Sequence, residues 1–177
     1  MTRINAGIPV RCLTDEHLLA EHRELKRLPW CLENAIASGS INHIPGKFTL
    51  GKGHVLFFLD KMGFTLARYC EVHGECKRRG FKVQSYWHNW DNVPAMYANA
   101  YSPTGECVKE LLLRIEERIA GSKKTTWHYC GKPISKEEAV KVLYNEYDAA
   151  EEEWYKNKFY PDPKIYVKGE DLQKNEI

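Results

Sequence analysis

The residue at position 2 could provide a nucleophile. Thr2 is small enough for the initiator Met1 to be removed, which would expose an α-amine with a pKa of about 7.7–8.0, below that of a lysine side chain. A useful fraction of this amine would be unprotonated at neutral pH, so it could attack C1′ of a sugar to form a Schiff base. A nearby carboxylate could assist the proton transfers. Most proteins with threonine at this position have no such chemistry, so this feature alone is a weak indication.

The first predicted helix carries a polar face. Thr14 can cap a helix over roughly residues 15–28, and Pro29 is expected to mark its end. At about 100° per residue, one arc of about 120° on this helix collects a histidine, a glutamate and two arginines. The residues on this arc are His17, Ala20, Arg23, Glu24 and Arg27. A solvated face held by oppositely charged pairs one turn apart would have the same composition, so the spacing leaves that alternative open.

A long central helix is predicted in the middle of the chain. Residues 37–53 hold four glycines and one proline and are predicted to form a loop. Helical periodicity then runs over residues 54–79, and Gly80 offers the position after the helix end. Its apolar stripe, which favours a packed core, consists of Val55, Phe58, Met62 and Leu66. We interpret His54 as a helix-start residue rather than a catalytic base.

Two further helices complete the predicted fold. One spans residues 106–120 and carries Arg114 and Arg118 one turn apart. Ser135 and Glu138 have the spacing of a capping box, which predicts a last helix running to about residue 157. Because no alternating strand pattern is found, we expect an all-α, compact single-domain helical fold with a long central helix and an extra C-terminal helix.

Composition and charge limit the classes of protein. The chain has 177 residues, 43% apolar and 28% charged, which fits one globular domain, and no apolar run approaches the roughly 20 residues of a membrane span. No signal-peptide pattern is found, so we expect an intracellular protein whose cysteines are thiols. The expected location is the cytoplasm or nucleoid, including that of a virus-infected host cell. Residues 1–133 hold 19 Lys and Arg against 13 Asp and Glu, whereas residues 134–177 hold 7 against 11. The excess of positive charge in residues 1–133 favours a polyanion partner. Ordinary fluctuation of surface charge explains this excess equally well.

Six stretches in order, from residue 1 to about residue 134, carry a family resemblance. They are "MTRIN", "HLLAEHRELKR", "FTLGKGHVLFFLDKMGF", "ECKRRGFKV", "RIEERIA" and "TWHYCGK". Together they closely resemble the pyrimidine-dimer DNA glycosylase and abasic-site lyase family of the phage endonuclease V type. The combination of a penultimate threonine with the H-x-x-x-E-x-R-E-L-x-R helix is the most specific part of the resemblance.

The resemblance implies a DNA repair enzyme that is both glycosylase and lyase. Thr2 would supply the nucleophilic amine after loss of Met1. Glu24 would be the catalytic carboxylate, stabilising the cationic sugar intermediate and assisting the β-elimination that cuts the strand. The expected partner is bent double-stranded DNA with a cyclobutane pyrimidine dimer or an abasic site, and the expected protein is a monomer without metal or cofactor. A glycosylase for another modified base and a non-catalytic DNA-binding relative remain as alternatives.

The resemblance also implies a set of side chains that contact DNA. They are Arg3, His17, Arg23, Arg27, Arg114, Arg118, Trp127 and Tyr129. The first four would hold phosphates around the lesion, and the next two match a basic pair in which Arg118 replaces the usual lysine. The two aromatic residues match a segment that packs near the damaged site.

The end of the chain has no counterpart in the short members of the family. We therefore predict a glycosylase-like domain over residues 1–134 and an acidic, helical C-terminal extension over residues 135–177. The extension could pack on or beside the domain as a supporting helix, or it could shade the basic DNA face.

Overall fold

The computed structural model describes residues 4–157, with side chains described to residue 153, so Thr2 and Arg3 lie outside the described residues. Within this range the chain forms six α-helices, short 3₁₀ turns and one small hairpin. The helices are α1 (Asp15–Leu25), α2 (Leu28–Ser38), α3 (His54–Phe58), α4 (Met62–Arg78), α5 (Gly105–Ala120) and α6 (Lys136–Asn157). The strands are β1 (Trp127–Tyr129) and β2 (Lys132–Ile134). The predicted all-α class is confirmed, and no helix among the described residues has the length and apolar character to cross a membrane.

The first predicted helix is shorter than expected. Thr14 caps α1 as predicted, because its hydroxyl accepts a backbone N–H of the first turn. The prediction of one helix over residues 15–28 was wrong, since α1 ends at Leu25 and α2 begins at Leu28. Pro29 lies in the first turn of α2, where its missing N–H costs no hydrogen bond. The proline therefore begins the second helix instead of ending the first.

The predicted central helix is divided into two. Instead of continuing over residues 54–79, the chain leaves helical geometry at Lys61, whose backbone forms an isolated bridge with Ala98. A Cβ atom at Gly63 would lie 2.7 Å from the Ala98 carbonyl oxygen, so glycine permits this close approach. A distant segment thus interrupts the helix through backbone pairing. The predicted end of α4 is confirmed, with Gly80 in the left-handed region at φ 81°.

The N-terminal segment is part of the core. Ile4, Ala6 and Ile8 are fully buried, and α1 packs on α4 beside them. Tyr69 of α4 and Leu18 of α1 are among the buried side chains of the same cluster. Burying each large apolar side chain contributes about 1.5–3 kcal/mol to folding. From residue 4 onward the N-terminal segment is therefore a packed element of the core.

The last helix packs on the rest of the protein. The predicted capping box is confirmed, because Ser135 N–H donates to Glu138 Oε2 at 2.7 Å and Glu138 N–H donates to Ser135 Oγ at 3.1 Å. Ala139 and Leu143 are fully buried, and α6 contacts α5, β1 and the turn Val10–Cys12. The helix reaches Asn157, as predicted.

Acidic side chains of α6 pair with the N-terminal turn. Arg11 forms ion pairs with Glu146 at 3.7 Å and with Glu153 at 2.9 Å. Two acidic side chains of α6 therefore form ion pairs with the N-terminal part of the protein. The division of the chain into two parts at residue 135 stays a prediction, and the chain beyond residue 157 lies outside the described residues.

A hairpin that the sequence pattern did not predict joins α5 to α6. Strand β1 pairs antiparallel with β2 through a two-residue turn, in which Cys130 has φ 50° and Gly131 has φ 76°. The Asp15 carboxylate accepts the N–H of Cys130 at 3.1 Å and that of Gly131 at 2.8 Å. The first residue of α1 thus holds the hairpin turn, and this contact brings Trp127 beside α1.

Candidate active site

A pocket opens where the N-terminal segment meets α1, α3 and α5. Its polar lining comprises two arginines, two histidines and an asparagine, and the rest is apolar. The lining residues are Asn5, His17, Leu50, His54, Leu111, Arg114, Ile115 and Arg118. The structure thus brings together three residues of the predicted DNA-binding set, from α1 and from one face of α5. Two guanidinium groups at one pocket favour an anionic ligand such as a phosphate.

His17 forms the side of this pocket that faces the hairpin. It is buried, with Nδ1 3.1 Å from the Thr14 hydroxyl and its ring centroid 5.1 Å from that of Trp127. Trp127 is buried as well, and its indole Nε1 has no hydrogen-bond partner among residues 4–153. Buried polar groups are normally paired, so this N–H is an exception among the described residues.

The carboxylate predicted to be catalytic lies further along α1. The Glu24 side chain is 24% exposed, and its Oε2 lies 3.3 Å from Arg27 Nη1. Two turns separate it from His17, about 10 Å along the helix axis, so it lies beyond the pocket lining. Arg23 is exposed on the same helix, and Arg27 is exposed in the turn between α1 and α2. The end of α1 and the turn that follows it therefore present one accessible carboxylate and two accessible guanidinium groups.

Tyr129 lies apart from the pocket lining. Its hydroxyl donates to the Arg11 carbonyl oxygen at 3.1 Å, and its ring centroid is 4.8 Å from the Arg79 guanidinium carbon. Burial raises the pKa of its phenol to about 12. In the described structure this residue joins the hairpin to the N-terminal turn. Its predicted role near the damaged base stays a prediction.

His54 holds the backbone of the N-terminal segment. Its Nε2 accepts the N–H of Ile4 at 3.1 Å, so the ring proton must be on Nδ1, which donates to the Thr49 carbonyl oxygen at 3.0 Å. Burial lowers the pKa of His54, which favours this neutral form. The residue does begin α3, as the sequence indicated, but its contact with the chain start was not predicted.

Glu21 and Arg68 hold the next residues of the segment. The Glu21 carboxylate accepts the Asn5 backbone N–H at 2.9 Å and the Asn5 side-chain amide at 2.7 Å. It also accepts two guanidinium N–H groups of Arg68, at 2.9 and 3.1 Å. Burial alone would lower the pKa of Arg68, but the adjacent Glu21 charge produces a net increase. We call Asn5, Glu21, His54 and Arg68 the N-terminal anchor.

Sequence reasoning did not identify the anchor. The available signal was a charged residue at an inward position of each helix. Arg68 falls among inward-facing residues of α4, next to Tyr69 and one turn from Val72. Glu21 lies one turn from both His17 and Glu24 on α1. A charged residue at an inward position of one helix indicates a buried ion pair only when the partner charge on the other helix is known.

Two histidines, the buried His22 and the half-buried His73, face each other where α1 packs on α4. His22 Nε2 is 3.3 Å from His73 Nδ1, and burial together with the neighbouring His73 lowers the pKa of His22 to about 4. No group of three or more His, Cys, Asp or Glu side chains among the described residues is arranged to hold a metal ion. The two rings stack between α1 and α4, with their centroids 5.5 Å apart.

The structure is that of a helical protein with a pocket beside its N-terminal segment whose two arginines suit an anionic ligand. A family model described as pyrimidine dimer DNA glycosylase matches residues 1–89. The match covers half of the sequence and includes Thr2, Glu24 and the whole N-terminal anchor, whereas α5, the hairpin and α6 lie beyond it. The chain belongs to the pyrimidine dimer DNA glycosylase family, and it is a DNA repair glycosylase.

Proposed function

We propose that the protein cleaves the N-glycosidic bond of a damaged base, in a cyclobutane pyrimidine dimer of double-stranded DNA, through the Thr2 amine, and then cuts the strand at the resulting abasic site. The observation that carries this proposal is the position of the chain start. Asn5 lines the same pocket as His17, Arg114 and Arg118. A chain that begins at Thr2 starts only three residues earlier, so its amine can reach a substrate held by the pocket's cations.

The first proposed step is attack of the neutral amine on C1′ of the damaged nucleotide. A bond forms between the nitrogen and C1′ while the glycosidic bond breaks, and the base leaves with the bonding electrons and takes up a proton. The nitrogen loses a proton, and its lone pair then forms the C1′=N bond of a protonated Schiff base while the C1′–O4′ bond of the sugar breaks and O4′ takes up a proton. Removal of a C2′ proton then breaks the C3′–O bond, and the phosphate leaves with the electron pair. Water finally hydrolyses the Schiff base.

Glu24 stabilises the positive charge of the sugar intermediates and takes part in the proton transfers. Its carboxylate is partly exposed, and the 3.3 Å contact with the exposed Arg27 is long for a charged hydrogen bond. The substrate can therefore displace Arg27 toward a phosphate without disrupting the core. This exchange would leave the Glu24 carboxylate free to contact the sugar and would place the Arg27 guanidinium on the DNA backbone.

The arginines position the DNA. Four arginines bind phosphates in a way that does not depend on base sequence. They are Arg114 and Arg118 at the pocket, Arg23 on α1, and Arg27 in the turn between α1 and α2. Extruding a base costs a few kcal/mol, and the cost is lowest where damage has already weakened base pairing. Selection of the lesion can begin with this difference.

The test is cleavage of a duplex that carries a single thymine dimer. Untagged protein whose first residue is verified as Thr2 by mass spectrometry should cleave the glycosidic bond at the dimer and nick the damaged strand. It should leave an undamaged duplex intact. An N-terminal tag should abolish cleavage while DNA binding persists, because the nucleophilic amine is lost. The same tag at the C-terminus is the matched control and should leave cleavage unchanged.

Two other results would contradict parts of the proposal. Cleavage of an abasic duplex but not of the dimer would keep the lyase chemistry and assign another modified base as the substrate. Tight DNA binding without any cleavage by protein beginning at Thr2 would indicate a non-catalytic DNA-binding relative.

A further inference from the structure

The N-terminal segment is held at both of its ends. His54 accepts the N–H of Ile4, and Glu21 accepts two donors of Asn5. At the other end, Arg68 Nη1 donates to the Ile8 carbonyl oxygen at 2.8 Å. The bonds come from three different helices, α1, α3 and α4. The segment is therefore fixed in direction as well as in position.

This anchoring limits where the amine can be. Two residues of extended chain span about 7 Å, so the amine of Thr2 stays within about that distance of the Ile4 backbone. The bond from Ile4 N–H to the buried His54 ring is 3.1 Å long. Release of that bond alone would widen the volume available to the amine.

The anchor and the predicted acid share one rigid element. Glu21 and Glu24 are separated by one turn of α1, so a chain start bound to Glu21 has a defined position relative to the Glu24 carboxylate. Asn5 and His54 also belong to both the anchor and the pocket lining. The anchor therefore fixes the position of the N-terminal segment relative to both the Glu24 carboxylate and the cationic pocket.

Apolar packing alone would not define this geometry. Ile4, Ala6 and Ile8 are already fully buried and would keep the segment in the core without polar bonds. Buried ion pairs often contribute no more to stability than apolar side chains of similar size would. The directional bonds of the anchor add orientation, which the reaction needs to within about 1 Å.

We propose that Glu21, Arg68 and His54 are positioning residues that orient the N-terminal amine toward the substrate and Glu24. This inference rests on the proposed function. None of the three touches the reacting atoms. Each acts through the backbone of Ile4, Asn5 or Ile8, so loss of the anchor slows the attack without removing the nucleophile.

The test is the rate of borohydride trapping on an abasic duplex, with protein in excess over DNA. His54→Leu removes the acceptor of the Ile4 N–H and should lower the trapping rate constant by about tenfold or more. His54→Gln keeps an acceptor at a similar reach and should recover a rate constant close to that of the unaltered protein. His43→Leu changes an exposed histidine outside the site and is the matched control. Glu21→Gln, in which an amide N–H opposes the donors of Asn5 or Arg68, should behave like His54→Leu.

The amplitude of trapping separates positioning from folding. A positioning defect lowers the rate constant while the final trapped fraction stays near that of the unaltered protein. A lower trapped fraction with a normal rate constant in His54→Leu and Glu21→Gln would assign the anchor a purely structural role and overturn the inference. Absence of trapping by the unaltered protein would overturn the proposed function itself, and the positioning role with it.

Discussion

Two glutamates one turn apart on α1 have opposite surroundings. Glu21 is 0% exposed, and its two oxygens accept four hydrogen bonds from Asn5 and Arg68. The Glu24 side chain is 24% exposed and contacts the exposed guanidinium of Arg27 at 3.3 Å. A carboxylate with all its hydrogen bonds made inside the protein holds structure, whereas one left accessible can serve a substrate. One helix thus carries both a carboxylate that holds the fold and the accessible carboxylate that we propose to be catalytic.

The arginines differ in the same way. Arg68 is 4% exposed and is bound to Glu21, whereas the Arg27 side chain is 56% exposed and has one weak ion pair. Breaking a buried pair costs about 3–5 kcal/mol because a charge is left without compensation. An exposed pair contributes about 0–1 kcal/mol. The two regions should therefore respond differently to substitution, the buried one in stability and the exposed one in DNA chemistry.

The largest expected effect is on catalysis, at the exposed end. Glu24→Gln keeps the shape of the side chain but removes its charge, so turnover on the lesion duplex should fall by about 10²–10⁴-fold. Stability should change by less than about 0.5 kcal/mol. Single-turnover cleavage and urea denaturation measure the two quantities. Full activity in this variant would remove Glu24 from the mechanism.

The next effect is on stability, at the buried end. Arg68→Met leaves the Glu21 charge buried without its partner, so the free energy of unfolding should fall by about 3–5 kcal/mol. Arg27→Met is the matched control and should cost less than about 1 kcal/mol. Equal losses in the two variants, measured by urea denaturation, would contradict the distinction between the two regions.

A smaller effect is expected on the salt dependence of DNA binding. Arg23→Gln removes one exposed cation, so the slope of log affinity against log salt should decrease in magnitude by about 1. Glu33→Gln, on the exposed surface of α2, is the control for a change of charge that removes no cation. Fluorescence anisotropy on an undamaged duplex over a range of salt concentrations measures both slopes. An unchanged slope in Arg23→Gln would move the phosphate contact elsewhere.

The smallest effect is on the pH dependence of stability. His22 has its pKa lowered from 6.5 to about 4, and the pKa of His54 is also lowered, so both are neutral in the folded protein. As the pH falls below 6.5, the unfolded chain binds these protons first, and the free energy of unfolding should decrease until the folded pKa is reached. The slope is at most about 1.4 kcal/mol per pH unit for each histidine. Urea denaturation of His22→Gln should show a shallower decrease over this window, and an unchanged profile would contradict the assignment.

Local features of the fold could be predicted from the sequence because their causes are local. The Thr14 cap, α5 and the capping box of α6 each depend on residues within a few positions of one another. The division of the predicted central helix could not, since it depends on pairing with Ala98, far along the chain. The hairpin was missed for the same reason, because Asp15 holds its turn from the other end of the protein.

The candidate site divides in the same manner. Residue type and the face of the predicted helix indicated His17, Glu24, Arg23 and Arg27, and the family resemblance added the DNA-binding role of Arg114 and Arg118. The difference between Glu21 and Glu24 could not be predicted, because both are acidic residues on one helix and their burial is decided by Arg68 on α4. Tertiary contacts therefore decide which of the two carboxylates has a structural role.

The most direct measurement is to identify the residue that becomes cross-linked to DNA. Untagged protein would be incubated with a duplex carrying one thymine dimer, reduced with borohydride and digested, and the modified peptide would be sequenced by mass spectrometry. The account expects a sugar fragment on the α-amine of Thr2. A cross-link on a lysine side chain, or none from protein that begins at Thr2, would contradict it.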